Sequence, residues 1–155
     1  MKRVKLVVDQ EKFDRVKQLI DHKEEVKTLG YFVADLIREE SESHDDSKFN
    51  IDELSEAVRN SKRLKGLEYG SPEFEEELQV IIDEGVLHYE RNDHHIEGNP
   101  NGVADMDLIS LLIALCDWIS ACNAYGGTIE ESIMIAQRRF GFSSDVASLL
   151  RNTVN

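Results

Sequence analysis

The run from Met106 to Cys122 constrains the fold more than any other stretch of this chain. It is the most apolar segment, it falls short of a membrane span, and it carries Asp117 near its centre. Such a segment is expected to be a helix in a protein core, capped by Asp105 and running to about Asn123. One of its faces is large, with Leu108, Leu111, Leu112, Leu115 and Ile119. The face carrying Asp117 is small, with Ser110, Ala114 and Ala121, so other helices can approach the carboxylate closely. A buried, unpaired carboxylate is costly. Asp117 therefore needs a cation or a proton, and the cation is either a metal ion or the guanidinium of Arg138 or Arg139.

The remaining segments carry helical periodicity too. Apolar residues recur at helical spacing from about Gln10 to Leu29: Phe13, Val16, Leu19, Ile20, Val26 and Leu29. Gly30 is expected to end that helix, and Tyr31 to about Glu42 to form the next. Asn50-Ile-Asp-Glu53 has the form of a capping box and opens a helix to about Asn60. Ser71-Pro72 starts a long helix to about His95, and Thr128 to Glu131 is a second capping box. Ser143 or Ser144 caps a last short helix, and Lys2 to Val8 reads as a short strand or arm. With two prolines, no repeat and no low-complexity linker, residues 1–155 read as one all-α domain, a bundle of about six to seven helices.

Composition narrows the partners. The net charge of −13 repels nucleic acid and anionic membranes, so neither is expected as a partner. Small phosphorylated ligands stay compatible if local cations reverse the sign inside a cleft. Cys116 and Cys122 lie on different faces of one helix, which makes a mutual disulfide improbable and points to the cytoplasm. The segment Met1 to Val8 is too short for a signal-peptide core. A homo-oligomer is compatible with the sequence.

All five histidines fall into an ordered set with two aspartates: His22, His44-Asp45, His88, His94-His95 and Asp117. Two imidazole-rich segments, a His-Asp pair and a core carboxylate are the parts of a two-metal site on a helical scaffold. Competing structural readings accompany each. His22 shares a stripe with Leu19, Val26 and Leu29, as a core histidine would. Asp45 or Asp46 can cap a helix, and paired arginines usually sit on a solvated face. The stripe Phe74, Leu78, Ile81, Gly85, His88, Asn92, His95 changes from apolar to polar while still facing the core, and its polar end needs partners. His88 and His95 would stand about 10 Å apart along an unbroken helix. That distance suits two adjacent ions, or a break near Asn92. Either His94 or His95 serves as ligand. Imidazole with carboxylate suits one or two divalent ions of Fe, Mn, Zn, Co or Ni.

The pattern resembles the HD-domain superfamily of helical metal-dependent phosphohydrolases. His44-Asp-Asp-Ser-Lys48 followed by His94-His-Ile-Glu97 is similar to the His-Asp-x-Gly-Lys and His-His-Glu motifs of its cyclic-di-GMP-cleaving branch. The spacing from His88 to His94 is shorter than in that branch, and a Gly-Tyr-Pro segment is absent, so cyclic-di-GMP is not the expected substrate. From about His22 to Asn152 the chain more closely resembles a small phage and bacterial HD-like family. Tyr69-Gly-Ser71, His88-Tyr89, Asn92-x-His-His95, Met106, Cys116-Asp-Trp118 and Arg138-Arg-Phe-Gly141 carry that likeness. It departs at Gly98, where the family typically has His, and at Ile113, where it typically has Glu.

The resemblance implies metal-assisted hydrolysis of a small phosphorylated substrate, with a nucleotide the leading choice. His22, His44, Asp45, His88, His94, His95 and Asp117 are the implied metal ligands. Lys48, His94 and Asp45 carry the implied catalysis, with His94 as a general acid if it is not a ligand. Lys48, Arg138, Arg139, Tyr69 and Asn92 are the implied substrate contacts. Two alternatives accompany this reading: an HD-type di-iron oxygenase, and a non-catalytic metal- or nucleotide-binding protein.

Overall fold

The computed structural model describes residues 9–68 and 70–154. They form seven α-helices and three 3-10 turns, with no strand among the described residues. The expected all-α architecture is therefore observed. Residues Lys2 to Val8 and Tyr69 lie outside the described residues.

The chain divides into two compact units, Met1–Glu39 and Glu40–Asn155. Most of α1 (Gln10–Ser43) belongs to the first. The expected break at Gly30 does not occur, because α1 runs through it without interruption. An internal glycine costs a helix only about 1 kcal/mol relative to alanine, too little to end a helix of 34 residues. The stripe of Phe13, Val16, Leu19, Ile20, Val26 and Leu29 is exposed rather than inward-facing. A unit made of one helix has no second layer against which to bury it.

In the second unit, α2 spans Ile51–Leu64, α3 Pro72–Asp83, α4 Leu87–Arg91, α5 Leu108–Tyr125, α6 Ile129–Phe140 and α7 Ser144–Val154. Its core joins Leu111 and Leu115 of α5 to Ile133 and Ala136 of α6, Ala147 and Leu150 of α7, and the inserted Ile96 and Phe142. The apolar run is thus a core helix, as its composition requires. Its start is set by Asp107, whose side chain accepts from the Ser110 amide. Asp105, the expected cap, instead accepts from Asn101. Ser71 caps α3 with Pro72 in the first turn, and Thr128 and Glu131 form the expected capping box of α6.

The helix expected from Pro72 to His95 is broken twice. It ends at Asp83, and Gly85 takes a φ of +85° that only glycine adopts readily. The short α4 then ends in extended backbone at Asn92. These breaks decide where the histidines go. No described helix is long and apolar enough to cross a membrane.

Candidate metal centre

His44 directly follows the last residue of α1, and Asp45 follows with a φ of 62°, the one positive value outside glycine among the described residues. Aspartate tolerates this left-handed conformation better than most side chains. The backbone then enters a 3-10 turn, Asp46–Phe49, that carries Ser47 and Lys48. Asp45 sits between two groups of donors. Its Oδ1 lies 2.9 Å from His88 Nε2 and 3.6 Å from His94 Nε2. Its Oδ2 lies 3.5 Å from His44 Nδ1 and 2.5 Å from Lys48 Nζ.

The same Nε2 of His88 is approached by His95 Nε2 at 2.8 Å. On the far side of His44, the Asp117 carboxylate lies 3.7 Å from Nε2. Two overlapping sets follow: Asp45, His88, His94 and His95, and His44, Asp45 and Asp117. Within each set, one donor atom per residue lies within 4.8 Å of all the others. Asp45 is common to both. The break at Asn92 brings His95 back onto His88, so the separation expected of an unbroken helix collapses into direct contact.

His88 stands between two carboxylates, with Nε2 toward Asp45 Oδ1 and Nδ1 3.2 Å from the carboxylate of Glu53, which is 2 % exposed. That carboxylate also accepts from Ser47 Oγ at 2.7 Å and Arg91 Nη1 at 2.8 Å. With its proton on Nδ1 toward Glu53, His88 would offer the Nε2 lone pair to a cation, the arrangement by which proteins orient metal-binding imidazoles; with a proton on Nε2 it donates to Asp45. Asn92 donates to Ser47 Oγ and to the His88 carbonyl, locking the same turn. Glu56, also buried, accepts from the Leu87 amide and fixes the start of α4. His95 repeats the theme with its Nδ1 3.8 Å from Glu97, which lies 3.1 Å from Arg139.

Electrostatics agree with this geometry. Burial works to raise the Asp45 carboxyl, but His88 and Lys48 outweigh it and hold Asp45 well below the usual carboxylate range. Glu53 is likewise lowered: Ser47, Arg91 and His88 overcome the cost of burial. Burial, with the neighbouring His95 and His44, pushes His94 down to about 3. At neutral pH His94 is therefore a lone-pair donor, which suits a ligand better than the general acid considered from sequence.

Three buried atoms test whether cations fit. His44 Nε2, Asp45 Oδ1 and His94 Nε2 have no hydrogen-bond partner. Orphaned buried polar atoms of this kind call for a missing partner: Asp45 Oδ1 and His94 Nε2 lie 3.6 Å apart, and His44 Nε2 faces Asp117 at 3.7 Å. Four imidazoles and two carboxylates form a donor set suited to divalent first-row transition metals.

The structure thus brings together His44, Asp45, His88, His94, His95 and Asp117, with Lys48 and Asn92 beside them. His22 lies on α1 in the first unit, exposed. Tyr69 is outside the described residues. Arg139 serves Glu97 and Glu75, not the Asp117 bridge considered above. Arg138 is exposed beside another cleft. Sequence reasoning missed Glu53, because its place in a capping-box pattern concealed it. No side-chain cap forms at Asn50, and α2 instead turns Glu53 and Glu56 inward while Ile51 and Leu54 face out.

Fold and site together define an all-α protein with a histidine cluster built around a shared aspartate. The chain belongs to a family of unknown function, DUF5662, whose model matches residues 11–155. No curated protein and no solved structure matches it.

Proposed function

We propose that this protein is a metal-dependent phosphohydrolase of the HD type, acting on a small phosphorylated substrate such as a nucleotide. One observation carries the reading: Asp45 is shared by two donor groups that leave His44 Nε2, Asp45 Oδ1 and His94 Nε2 buried and unpartnered. His44, Asp45 and Asp117 would hold one cation, and Asp45, His88, His94 and His95 the other. Bound there, such ions acidify water and polarise a phosphoryl group.

The protein's own groups supply position and charge. Glu53 and Glu97 fix the rings of His88 and His95. Lys48, about half exposed, neutralises Asp45 and presents its ammonium at the rim, where a phosphate oxygen can meet it. A cleft of about 280 Å³ opens beside His44, Asn92 and His94, and another of about 260 Å³ beside His95, Asp117 and Arg139. Each is large enough for a phosphate group.

The test is a panel assay on protein purified without chelator and reloaded with Mn, Fe, Co, Ni or Zn. Phosphate release or diester cleavage in at least one metal form, lost in Asp45→Asn, is expected. A metal-loaded sample inert toward nucleotides, cyclic dinucleotides and simple phosphate esters overturns the reading. Oxygen uptake by the iron form without phosphate release replaces it with an oxygenase.

A further inference from the structure

Beyond the metal centre, a large cleft of the second unit lies between the end of α5, α6, and Glu68. Its volume is about 910 Å³, within the range of roughly 300–1,000 Å³ usual for small-molecule sites. Its walls are mainly apolar, with Trp118, Met134 and Ile135 among them. Trp118, Ala121, Ser132 and Ile135 also line the 260 Å³ cleft that reaches His95 and Asp117. The two spaces are therefore neighbours across a common wall, and Trp118 follows Asp117 directly in the chain. At the large cleft stands Arg138, which makes no hydrogen bond or ion pair among the described residues. Glu131 also borders it, but its carboxylate is engaged by the Thr128 amide and hydroxyl.

We infer that this cleft is the subsite for a planar aromatic group on the substrate, a nucleobase, while the phosphate of the same molecule reaches the metal centre. The inference rests on the phosphohydrolase reading and narrows it to nucleotides. The clefts at the cluster are small and lined in part by polar groups, while the adjoining space is larger and mainly apolar and offers a base an indole face. An indole face stacks on any base, and the thioether of Met134 adds a soft contact with an aromatic edge. Among the described residues Arg138 supplies the one free cation at that cleft in a strongly acidic chain, placed for a ribose oxygen.

Trp118 is the single tryptophan, so its emission reports the cleft directly. Metal-free protein in EDTA is titrated with adenosine, guanosine, adenosine 5′-monophosphate, ribose 5-phosphate and inorganic phosphate. Adenosine, guanosine and the monophosphate are expected to change Trp118 emission saturably, and ribose 5-phosphate and phosphate to leave it unchanged. Calorimetry on Trp118→Leu should show about tenfold weaker nucleoside binding or worse. Arg138→Gln should weaken the nucleoside and the monophosphate alike. Ile135→Glu, with circular dichroism and unfolding checked against the parent, gives a second block at the common wall. Unchanged emission with every nucleoside, or equal binding by Trp118→Leu, overturns the inference. Hydrolysis of p-nitrophenyl phosphate by the metal-loaded protein then tells the two failures apart. Turnover without nucleoside binding removes the subsite alone, and nucleoside binding without any turnover removes the hydrolase alone.

Discussion

Glu53→Ala is the most informative single perturbation, because Glu53 touches no substrate cleft and yet orients a proposed ligand. The change removes the acceptor of three groups: Ser47 Oγ at 2.7 Å, Arg91 Nη1 at 2.8 Å and His88 Nδ1 at 3.2 Å. Arg91 is 43 % exposed on its side chain and rehydrates, so its loss adds little. Ser47 keeps its contact with Asn92. His88, 12 % exposed, loses its carboxylate partner and keeps at Nδ1 only Ser47 Oγ at 3.3 Å and Asn92 Nδ2 at 2.9 Å, at about 1–3 kcal/mol. The small cavity left by the side chain adds to that, giving a total of about 2–4 kcal/mol. Freed from Glu53, His88 can also take the other tautomer and put a proton on Nε2, against Asp45 and His95. Metal affinity should then fall about 10- to 100-fold. Glu53→Gln, which keeps an acceptor oxygen, should recover most of the stability and part of the affinity. Denaturant unfolding and competitive chelator titration measure the two effects. Unchanged metal affinity in Glu53→Ala would show that Glu53 does not orient a ligand.

Four further outcomes follow from the same geometry. Lys48→Ala should keep its metal while losing turnover, since Lys48 contacts Asp45 only through Oδ2; metal analysis beside initial rates checks this. In the metal-free protein, His94 has a folded pKa of about 3 against an ordinary 6.5. A lowered value means stability complete above 6.5 and lost as pH falls toward 3, so His94→Gln should flatten that slope in urea unfolding. Gly98→Ala would set a Cβ 2.0 Å from the Tyr89 carbonyl oxygen, so a loss of about 1–3 kcal/mol is expected by thermal unfolding. A chelator should lower the melting temperature of the metal-loaded protein, and Asp117→Ala should shrink that shift.

The sequence made the elements more legible than their ends. Hydrophobic composition placed α5, and the Ser71-Pro72 and Thr128…Glu131 signals placed the starts of α3 and α6, because caps are local chemistry. The break at Gly85 was hidden, since the residues around it continue a helical stripe and only backbone conformation interrupts it; the one near Asn92 stood as an alternative to two adjacent ions, and periodicity could not choose between them. The break at Asn92 is what joins His88 to His95. Asp107 rather than Asp105 caps α5 for a related reason: both aspartates fit the pattern, and Asn101 captures one of them. The ligand types were readable because histidine and aspartate are scarce in apolar settings. Glu53 was not readable, since a glutamate three residues after an asparagine looks like an ordinary cap until tertiary contacts turn it inward.

Gly98 and Ile113, the two departures from the HD-like pattern considered from sequence, also acquire a physical setting. Gly98 lies against the Tyr89 backbone, where this conformation admits no side chain. Ile113 is 4 % exposed and walls the cleft beside His44 and His94, so the chain keeps an apolar surface where a further carboxylate would add charge.

The most direct measurement is the metal content of protein purified without chelator, by mass spectrometry, for the parent chain and for Asp45→Asn. A carboxylate shared by both donor groups predicts stoichiometric first-row transition metal in the parent and loss of it from the variant. A parent chain that binds no such metal even after reloading, or an Asp45→Asn protein that keeps the full complement, would contradict the account.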